Sequence, residues 1–268
     1  MPPVSQALRR SAFRCVSVAG LVLVAGLLAA CQNKGFTLGG DSLTTASTEQ
    51  PSDTPSFKRT EKLAKAWEKD KGNSELGFAY ADGLAQFGQV PAAAKVLRTT
   101  ADTKPDDAAL QAAVGKKLLS AGAAGDAVTV LERAVELNPT DWQSLSALGS
   151  AYDQKGQHAD ARQKYQAALT IKPGEASIRN NLAMSHALQG QLTDAEQMLR
   201  ELVSDGSDAA NPRIRQNLAL VVGLQGRFDE ARDIASKDLP PDEVEANLAY
   251  LQEMLSQPDT WASLQDQQ

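Results

Sequence analysis

The sequence predicts an all-α fold, a right-handed solenoid of stacked helix-turn-helix units, and three periodic residue types predict it. Glycine recurs every 34 residues and then once after 36, at Gly88, Gly122, Gly156, Gly190 and Gly226. Alanine follows each glycine five residues later, at Ala93, Ala127, Ala161, Ala195 and Ala231. Proline shares the period of 34, at Pro105, Pro139 and Pro173. A fixed period of this length is typical of helical repeat arrays, which form extended surfaces.

Within each unit, the apolar residues have the spacing of two amphipathic helices. In the clearest unit they fall at i, i+3 and i+7 on the first helix and at i, i+4 and i+7 on the second: Leu145, Leu148 and Tyr152, then Ala161, Tyr165 and Ala168. We expect Gly149 and Ala161 to be the small residues at which the two helices touch backbone to backbone. Gly156 is expected in the tight turn, and proline between units to end the second helix.

These landmark positions, counted from Trp142, resemble the pattern of the tetratricopeptide repeat. The resemblance covers units that begin at Ser74, Ala108, Trp142, Ala176 and Pro212, and it weakens in the last two. It implies about five helix pairs, in which the first helix of each pair lines a concave face.

The chain divides into a repeat array with flanking segments. We predict a signal peptide (1–30), a lipidated cysteine with a flexible tether (31–56), an N-terminal capping helix (57–73), the array (74–240), a C-terminal capping helix (241–255) and a polar tail (256–268). Terminal caps are expected because the end units of an array would otherwise expose apolar faces. The tether is rich in Gly, Ser, Thr and Asp and has no periodic apolar face.

The N-terminus has the plan of a secretory signal, with Arg9, Arg10 and Arg14 before an apolar run over 16–28. The run ends in Leu-Ala-Ala-Cys, which resembles the lipobox of bacterial lipoproteins. That resemblance implies acylation of Cys31, cleavage before it, and a lipid anchor in the outer membrane with the protein on the periplasmic face. A plain signal peptide with a coincidental cysteine, or an uncleaved membrane helix, remains an alternative. Removal of three arginines would change the net charge from −6 to −9.

Composition argues against several other classes of function. The net charge of −6 and the pI of about 5.1 provide no basic field for nucleic acid. Because the chain has only two histidines and both of its cysteines are near the N-terminus, we expect no metal site and no cofactor.

Residues 40–43 spell the GDSL tetrapeptide of a hydrolase family, but no histidine has the spacing that the family requires, so the sequence predicts no enzyme. We expect His158 to be exposed to solvent and His186 to lie on the inner face.

The concave face is the predicted binding site for a protein or peptide client. In repeats of the tetratricopeptide type, position 6 is often asparagine where a partner's backbone or terminal carboxylate is held, and Asn181 and Asn217 occupy this position. The predicted groove residues are Arg179, Asn180, Asn181, Met184, Arg215, Gln216 and Asn217. The alternative is that these asparagines only cap or pack. A complete carboxylate clamp is not evident.

The C-terminal third resembles a more particular family, the TadD lipoproteins of tight-adherence (Flp) pilus assembly. The resemblance lies in residues 215–232, RQNLALVVGLQGRFDEAR, and 238–255, DLPPDEVEANLAYLQEML. It implies a scaffold that assists assembly of the pilus machine, with the outer-membrane secretin or other assembly components as partners, in the manner of a pilotin. A different repeat lipoprotein, acting in peptidoglycan synthesis or outer-membrane protein assembly, remains the alternative.

Overall fold

A computed structural model describes residues 57–204 and 211–256 of the chain. In these two ranges there are twelve α-helices and no strands, so the expected all-α class is confirmed. The helices are α1 (Phe57–Lys69), α2 (Ser74–Gln86), α3 (Val90–Asp102), α4 (Ala108–Ser120), α5 (Ala124–Leu137), α6 (Trp142–Gln154), α7 (His158–Ile171), α8 (Ala176–Leu188), α9 (Leu192–Ser204), α10 (Pro212–Leu224), α11 (Phe228–Ala235) and α12 (Pro241–Ser256). The predicted signal peptide, Cys31, the tether and the tail from residue 257 onward lie outside the described ranges.

Short polar side chains start the first helix of most pairs. A residue immediately before α2, α4, α6 and α10 accepts a hydrogen bond from a backbone N–H two or three residues later: Asn73, Asp107, Asp141 and Asn211. Each cap satisfies one of the donors that a helix N-terminus leaves unpaired. The capping positions set where each unit begins.

The glycine period marks the turn inside each pair, as predicted. Each of the five glycines lies between the two helices of a pair and has a positive φ between 71° and 80°. Residues with a Cβ rarely adopt this conformation, which explains why glycine recurs at this point. The three periodic prolines lie in the linkers between pairs, after α3, α5 and α7. Both sequence expectations are confirmed.

The pairs stack one after another, and their buried apolar residues form three hydrophobic clusters along the stack. Each helix packs on the next along the chain, and the first helices of successive pairs, α2, α4, α6, α8 and α10, also contact one another in order. All five of the periodic alanines are completely buried. The first helices form one continuous row along the stack. We call the side that this row lines the inner face, and in repeat arrays of this kind it is the side expected to be concave.

Inside a pair, the small residue of the first helix contacts a large side chain, which differs from the expected backbone contact. A Cβ built on Gly149 would lie 2.6 Å from Cε1 of Tyr165, on α7. Gly115 faces Leu131 in the same way in the preceding pair. Glycine is therefore required here because the ring or branched side chain of the second helix fills the space that a Cβ would take.

A helix covers each end of the array. On α1, Trp67 is buried against α2, with its ring centroid 5.8 Å from that of Tyr80. On α12, Val244, Leu248 and Leu251 are buried against the last pair. None of the helices in the described ranges is both long enough and apolar enough to cross a bilayer.

Candidate partner-binding face

The predicted groove residues lie on two neighbouring inner helices, α8 and α10. Both helices begin at a residue that follows an extended position, and they contact each other on the inner side of the stack. The structure therefore brings the two halves of the predicted set together in space, although they are separated by α9 and two linkers in the sequence.

Two of the predicted asparagines form a buried pair. Nδ2 of Asn217 donates to Oδ1 of Asn180 over 2.8 Å, and the two residues are only 2% and 3% exposed. Buried amide groups are stable when they bond to each other, because this hydrogen bond replaces the ones that each group would make to water. Asn180 and Asn217 thus fix the contact between α8 and α10, while the accessible part of the predicted set lies beside them.

Oδ1 of Asn217 is the one amide atom of this pair that lacks a hydrogen-bond donor within the described residues. Leaving a buried acceptor unpaired costs about 1 to 3 kcal/mol. The interface between α8 and α10 therefore holds an acceptor whose hydrogen bond is not supplied by its own helices.

The half-buried predicted residues flank this pair. Nδ2 of Asn181 points toward Oγ of Ser146 on α6 at 3.5 Å, so α6 and α8 are linked by polar groups as well as by apolar packing. Met184 packs against the hydrophobic cluster of the last two pairs and α12, and Gln216 is half-buried on α10. Nη2 of Arg179 donates to Oε2 of Glu201 on α9 over 3.3 Å.

Arg215 forms a largely buried salt bridge with Asp238. Its Nε and Nη2 donate to the two carboxylate oxygens of Asp238 over 2.7 and 2.5 Å, and both side chains are largely buried. A fork of two parallel bonds is the strongest arrangement between a guanidinium and a carboxylate. The pair joins α10 to the segment between α11 and α12, and the pKa of Arg215 is raised by this hydrogen bond.

The structure also contains a buried polar cluster that the sequence did not predict. Asp153, at the end of α6, accepts from Oγ of Ser185 on α8 over 2.7 Å and from the hydroxyl of Tyr165 on α7 over 3.0 Å. Nδ1 of His158 lies 2.9 Å from Oδ1 of Asp153. The expectation that His158 is exposed is therefore wrong, because the carboxylate holds its ring against α6.

Burial determines how these groups ionise. Desolvation raises the pKa of Asp153 above its ordinary value of 3.8, although the hydrogen bonds from His158, Ser185 and Tyr165 act in the opposite direction. The pKa of Tyr165 is also raised by burial and by the neighbouring carboxylate. Nothing in the period of 34 indicates this cluster, since its members come from three helices and are brought together only by their packing.

His186 lies on α8, two residues before the helix ends at Leu188, and its side chain is partly exposed. Its Nδ1 lies 2.6 Å from Oε1 of Gln191, in the turn that follows. Among the described residues, no group of three His, Cys, Asp or Glu side chains could hold a metal ion. The GDSL tetrapeptide at 40–43 lies outside the described ranges.

Comparison with protein families identifies the class of protein. Three models, each described as a tetratricopeptide repeat, match residues 113–176, residues 60–116 and 154–210, and residues 212–237. Together they extend over the helix pairs described above. The chain is a tetratricopeptide-repeat protein, and repeats of this kind form scaffolds for protein–protein interaction.

Several solved structures are similar to the chain. TTC0263, a thermophilic tetratricopeptide-repeat protein from Thermus thermophilus, has a TM-score of 0.52 at 21% identity, over 67% of this chain and 98% of its own. MamA from Desulfovibrio magneticus RS-1 has 0.47 at 18%, over 66% and 97%. A structure titled for the functional characterisation of Pseudomonas aeruginosa pilF has 0.44 at 19%, over 66% and 80%. Of these three, the Thermus structure is similar enough to show the fold, and the fold alone. No curated protein matches the chain.

Proposed function

We propose that this chain is a non-enzymatic scaffold whose inner face binds an extended or helical segment of a protein client. The observation that carries the proposal is the alignment of five first helices, α2, α4, α6, α8 and α10, in one contacting row. A row of parallel helices presents side chains at regular intervals along a groove, which suits a linear segment that makes several modest contacts.

The side chains along this row favour polar recognition in its rear half. The residue at position 6 is alanine in the first three pairs, at Ala79, Ala113 and Ala147, and each of these is half-buried. In the last two pairs the partly exposed side chains include Asn181 and Gln216. An amide can pair with either the N–H or the C=O of a peptide backbone, so the client's backbone is expected to cross α8 and α10.

We further propose that the client belongs to the tight-adherence (Flp) pilus machine, with the outer-membrane secretin as the first candidate. The similarity of residues 215–232 and 238–255 to the TadD lipoproteins supports this assignment. In this proposal Cys31 carries the lipid, and the anchor holds the array on the periplasmic face of the outer membrane. Two or three buried acyl chains are sufficient for stable anchoring.

Affinity capture of the full chain tests the proposal, in parallel with a Cys31→Ser variant. The expected result is that both samples retain secretin or other pilus-assembly components, while only the unsubstituted chain is found in the outer-membrane fraction. Cys15→Ser is the matched control, because Cys15 lies inside the predicted signal peptide and is removed with it. Absence of pilus components from both samples would overturn the pilus assignment.

Two other outcomes identify the alternatives. Capture of peptidoglycan-synthesis enzymes or of the outer-membrane protein assembly machinery would favour a different repeat lipoprotein. Labelling of Ser42 by a fluorophosphonate probe would contradict the non-enzymatic function, since that reagent requires an activated serine.

A further inference from the structure

The first helix of the array has a row of lysines on its outward face. Lys58, Lys62, Lys65 and Lys69 are all exposed, and their spacing of i, i+4, i+7 and i+11 places them on one side of α1. We call these four residues the lysine stripe. The residues of α1 that are buried are Thr60 and Trp67, which lie on the opposite side of the helix.

The lysine stripe is a local exception to the charge of the chain. Helix α1 contains five basic and two acidic residues and so has a net charge of +3, whereas the whole chain has −6. Everything outside α1 therefore sums to −9. Lys65 pairs with Glu61 over 2.6 Å, but both side chains are more than half exposed, and a pair of this kind is only weakly held.

Two exposed aromatic rings meet near the N-terminal end of α1. Phe57 is the first residue of α1, and Phe87 directly follows α2. Phe57 is 70% exposed and Phe87 is 39% exposed, and their ring centroids are 6.2 Å apart in an edge-to-face arrangement. Aromatic side chains beside lysines are characteristic of surfaces that contact the headgroup region of a bilayer. The remaining large apolar side chains of α1 and α2 are at least partly covered by packing.

We propose that α1 docks on an anionic phospholipid surface through the lysine stripe, with Phe57 and Phe87 at the headgroup level. Each lysine near an anionic membrane adds to the attraction, and the effect acts over roughly a Debye length, about 10 Å at 0.1 M salt. The proposal concerns a surface other than the inner face and does not require a client. It also does not require the acyl anchor, although an anchor at Cys31 would raise the local concentration of lipid.

Lysine acetylation footprinting tests the contact directly. The full chain is bound to vesicles of phosphatidylcholine alone or of phosphatidylcholine with phosphatidylglycerol, and the reactivity of each lysine is measured by mass spectrometry. The stripe should lose reactivity severalfold on the anionic vesicles only, and about 1 M salt should restore it, because the Debye length then falls to about 3 Å. Exposed lysines on other helices or linkers are internal controls: Lys95, Lys104, Lys116 and Lys155.

A pair of charge-matched variants separates the stripe from overall charge. One variant replaces the four stripe lysines by glutamine, and the other replaces Lys95, Lys104, Lys116 and Lys155 by glutamine. In flotation, the salt-sensitive part of the binding to anionic vesicles should fall about tenfold or more in the first variant and remain in the second. Circular dichroism confirms that both are folded.

Equal stripe reactivity on the two vesicle types would overturn the proposal. Equal salt-sensitive binding by the two variants would do the same. Protection of the stripe by a soluble acidic peptide but not by phosphatidylglycerol would assign the stripe to a protein partner instead of a membrane. Since none of these readouts involves client capture, failure of this proposal is distinguishable from failure of the proposed function.

Discussion

At the residue scale, Asp153 and Glu196 occupy environments with opposite effects on a carboxylate. Glu196, on α9, accepts from Nε of Arg200 over 2.7 Å and from Nε2 of Gln225 over 2.8 Å, and it is also paired with Arg227. Burial alone would raise its pKa, but these hydrogen bonds outweigh burial and lower the pKa to about 2. In Asp153 burial dominates and the pKa rises.

Glu196→Gln should destabilise the protein at neutral pH and have little effect in acid. A lowered pKa in the folded state contributes stability above the ordinary value of 4.5, and this contribution is lost as the pH falls toward 2. Allowing for solvent screening, we expect a loss of about 1 to 2 kcal/mol at neutral pH in urea unfolding. Glu201→Gln is the control, because that side chain is 54% exposed. A loss that is independent of pH would contradict the electrostatic explanation.

Asp153→Asn should show the opposite pH dependence. A raised pKa contributes stability that is fully present below the ordinary value of 3.8 and is lost as the pH rises through the folded-state pKa. The stability of the asparagine variant relative to the unsubstituted chain should therefore increase as the pH rises above 3.8. Unfolding at a series of pH values measures this difference, with the exposed Asp102→Asn as reference. A relative stability that decreases with pH would show that the hydrogen bonds to the Asp153 carboxylate outweigh its burial.

Gly156→Ala tests the turn inside a pair. Gly156 has a φ of 75°, and a Cβ there would meet no atom within 4 Å, so the cost is purely one of backbone conformation. We expect a loss of about 1 to 2 kcal/mol in the free energy of unfolding. Gly174→Ala is the matched control, since Gly174 also has open space around it but no positive φ. Equal effects of the two substitutions would contradict the assigned role of the turn glycine.

At the scale of elements, the helices were largely predictable from the sequence. The first helices begin at Ser74, Ala108, Trp142, Ala176 and Pro212, where the repeat pattern placed the start of each unit. The prediction succeeds because each periodic residue type meets a local structural requirement. Glycine allows a positive φ in the turn, alanine allows close packing of two helices, and proline ends a helix. These requirements arise within one unit, so the same residue types recur at the repeat period in the sequence.

Contacts between units were less predictable. The pair formed by Asn180 and Asn217 and the hydrogen bond between Ser185 and Asp153 each join helices of different units. Their partners depend on the register in which neighbouring helices pack, and the repeat period does not encode that register. For the same reason the sequence assigns the predicted groove residues to α8 and α10 but does not show which of their side chains are accessible.

The rear capping helix offers a test at this scale. Leu251 of α12 is buried, and one of its methyl groups lies 3.0 Å from the position that a Cβ on Gly223 would occupy. Leu251→Ala should therefore cost about 2 to 4 kcal/mol. Hydrogen exchange should accelerate mainly in α10 and α11, because each unit of an array is stabilised chiefly by its neighbours.

Tyr250→Ala is the control for this experiment, since Tyr250 is 40% exposed on the same helix. It should leave exchange in α10 and α11 nearly unchanged. Uniform acceleration along the whole array after Leu251→Ala would show that the array unfolds as one cooperative unit, and would contradict a local capping role for α12.

At the scale of the whole molecule, the described ranges form one row of helix pairs with two distinct surfaces. The inner face carries small residues toward the front and amide side chains toward the rear, while the lysine stripe lies on the outward side of α1. In the proposed arrangement, a membrane contact at the front leaves the inner face open to a client. The two surfaces can therefore be tested separately.

Site-specific photo-crosslinking in cells tests the central claim, that the inner face is the surface that binds a client. A photoreactive phenylalanine analogue would replace Asn181 or Gln216 on the inner face, or Gln163 or Gln166 on the exposed side of the second helix α7. The account predicts a discrete adduct of one and the same protein from both inner positions and none from the α7 positions. Adducts from α7 alone, or none from either inner position when client capture is intact, would contradict it.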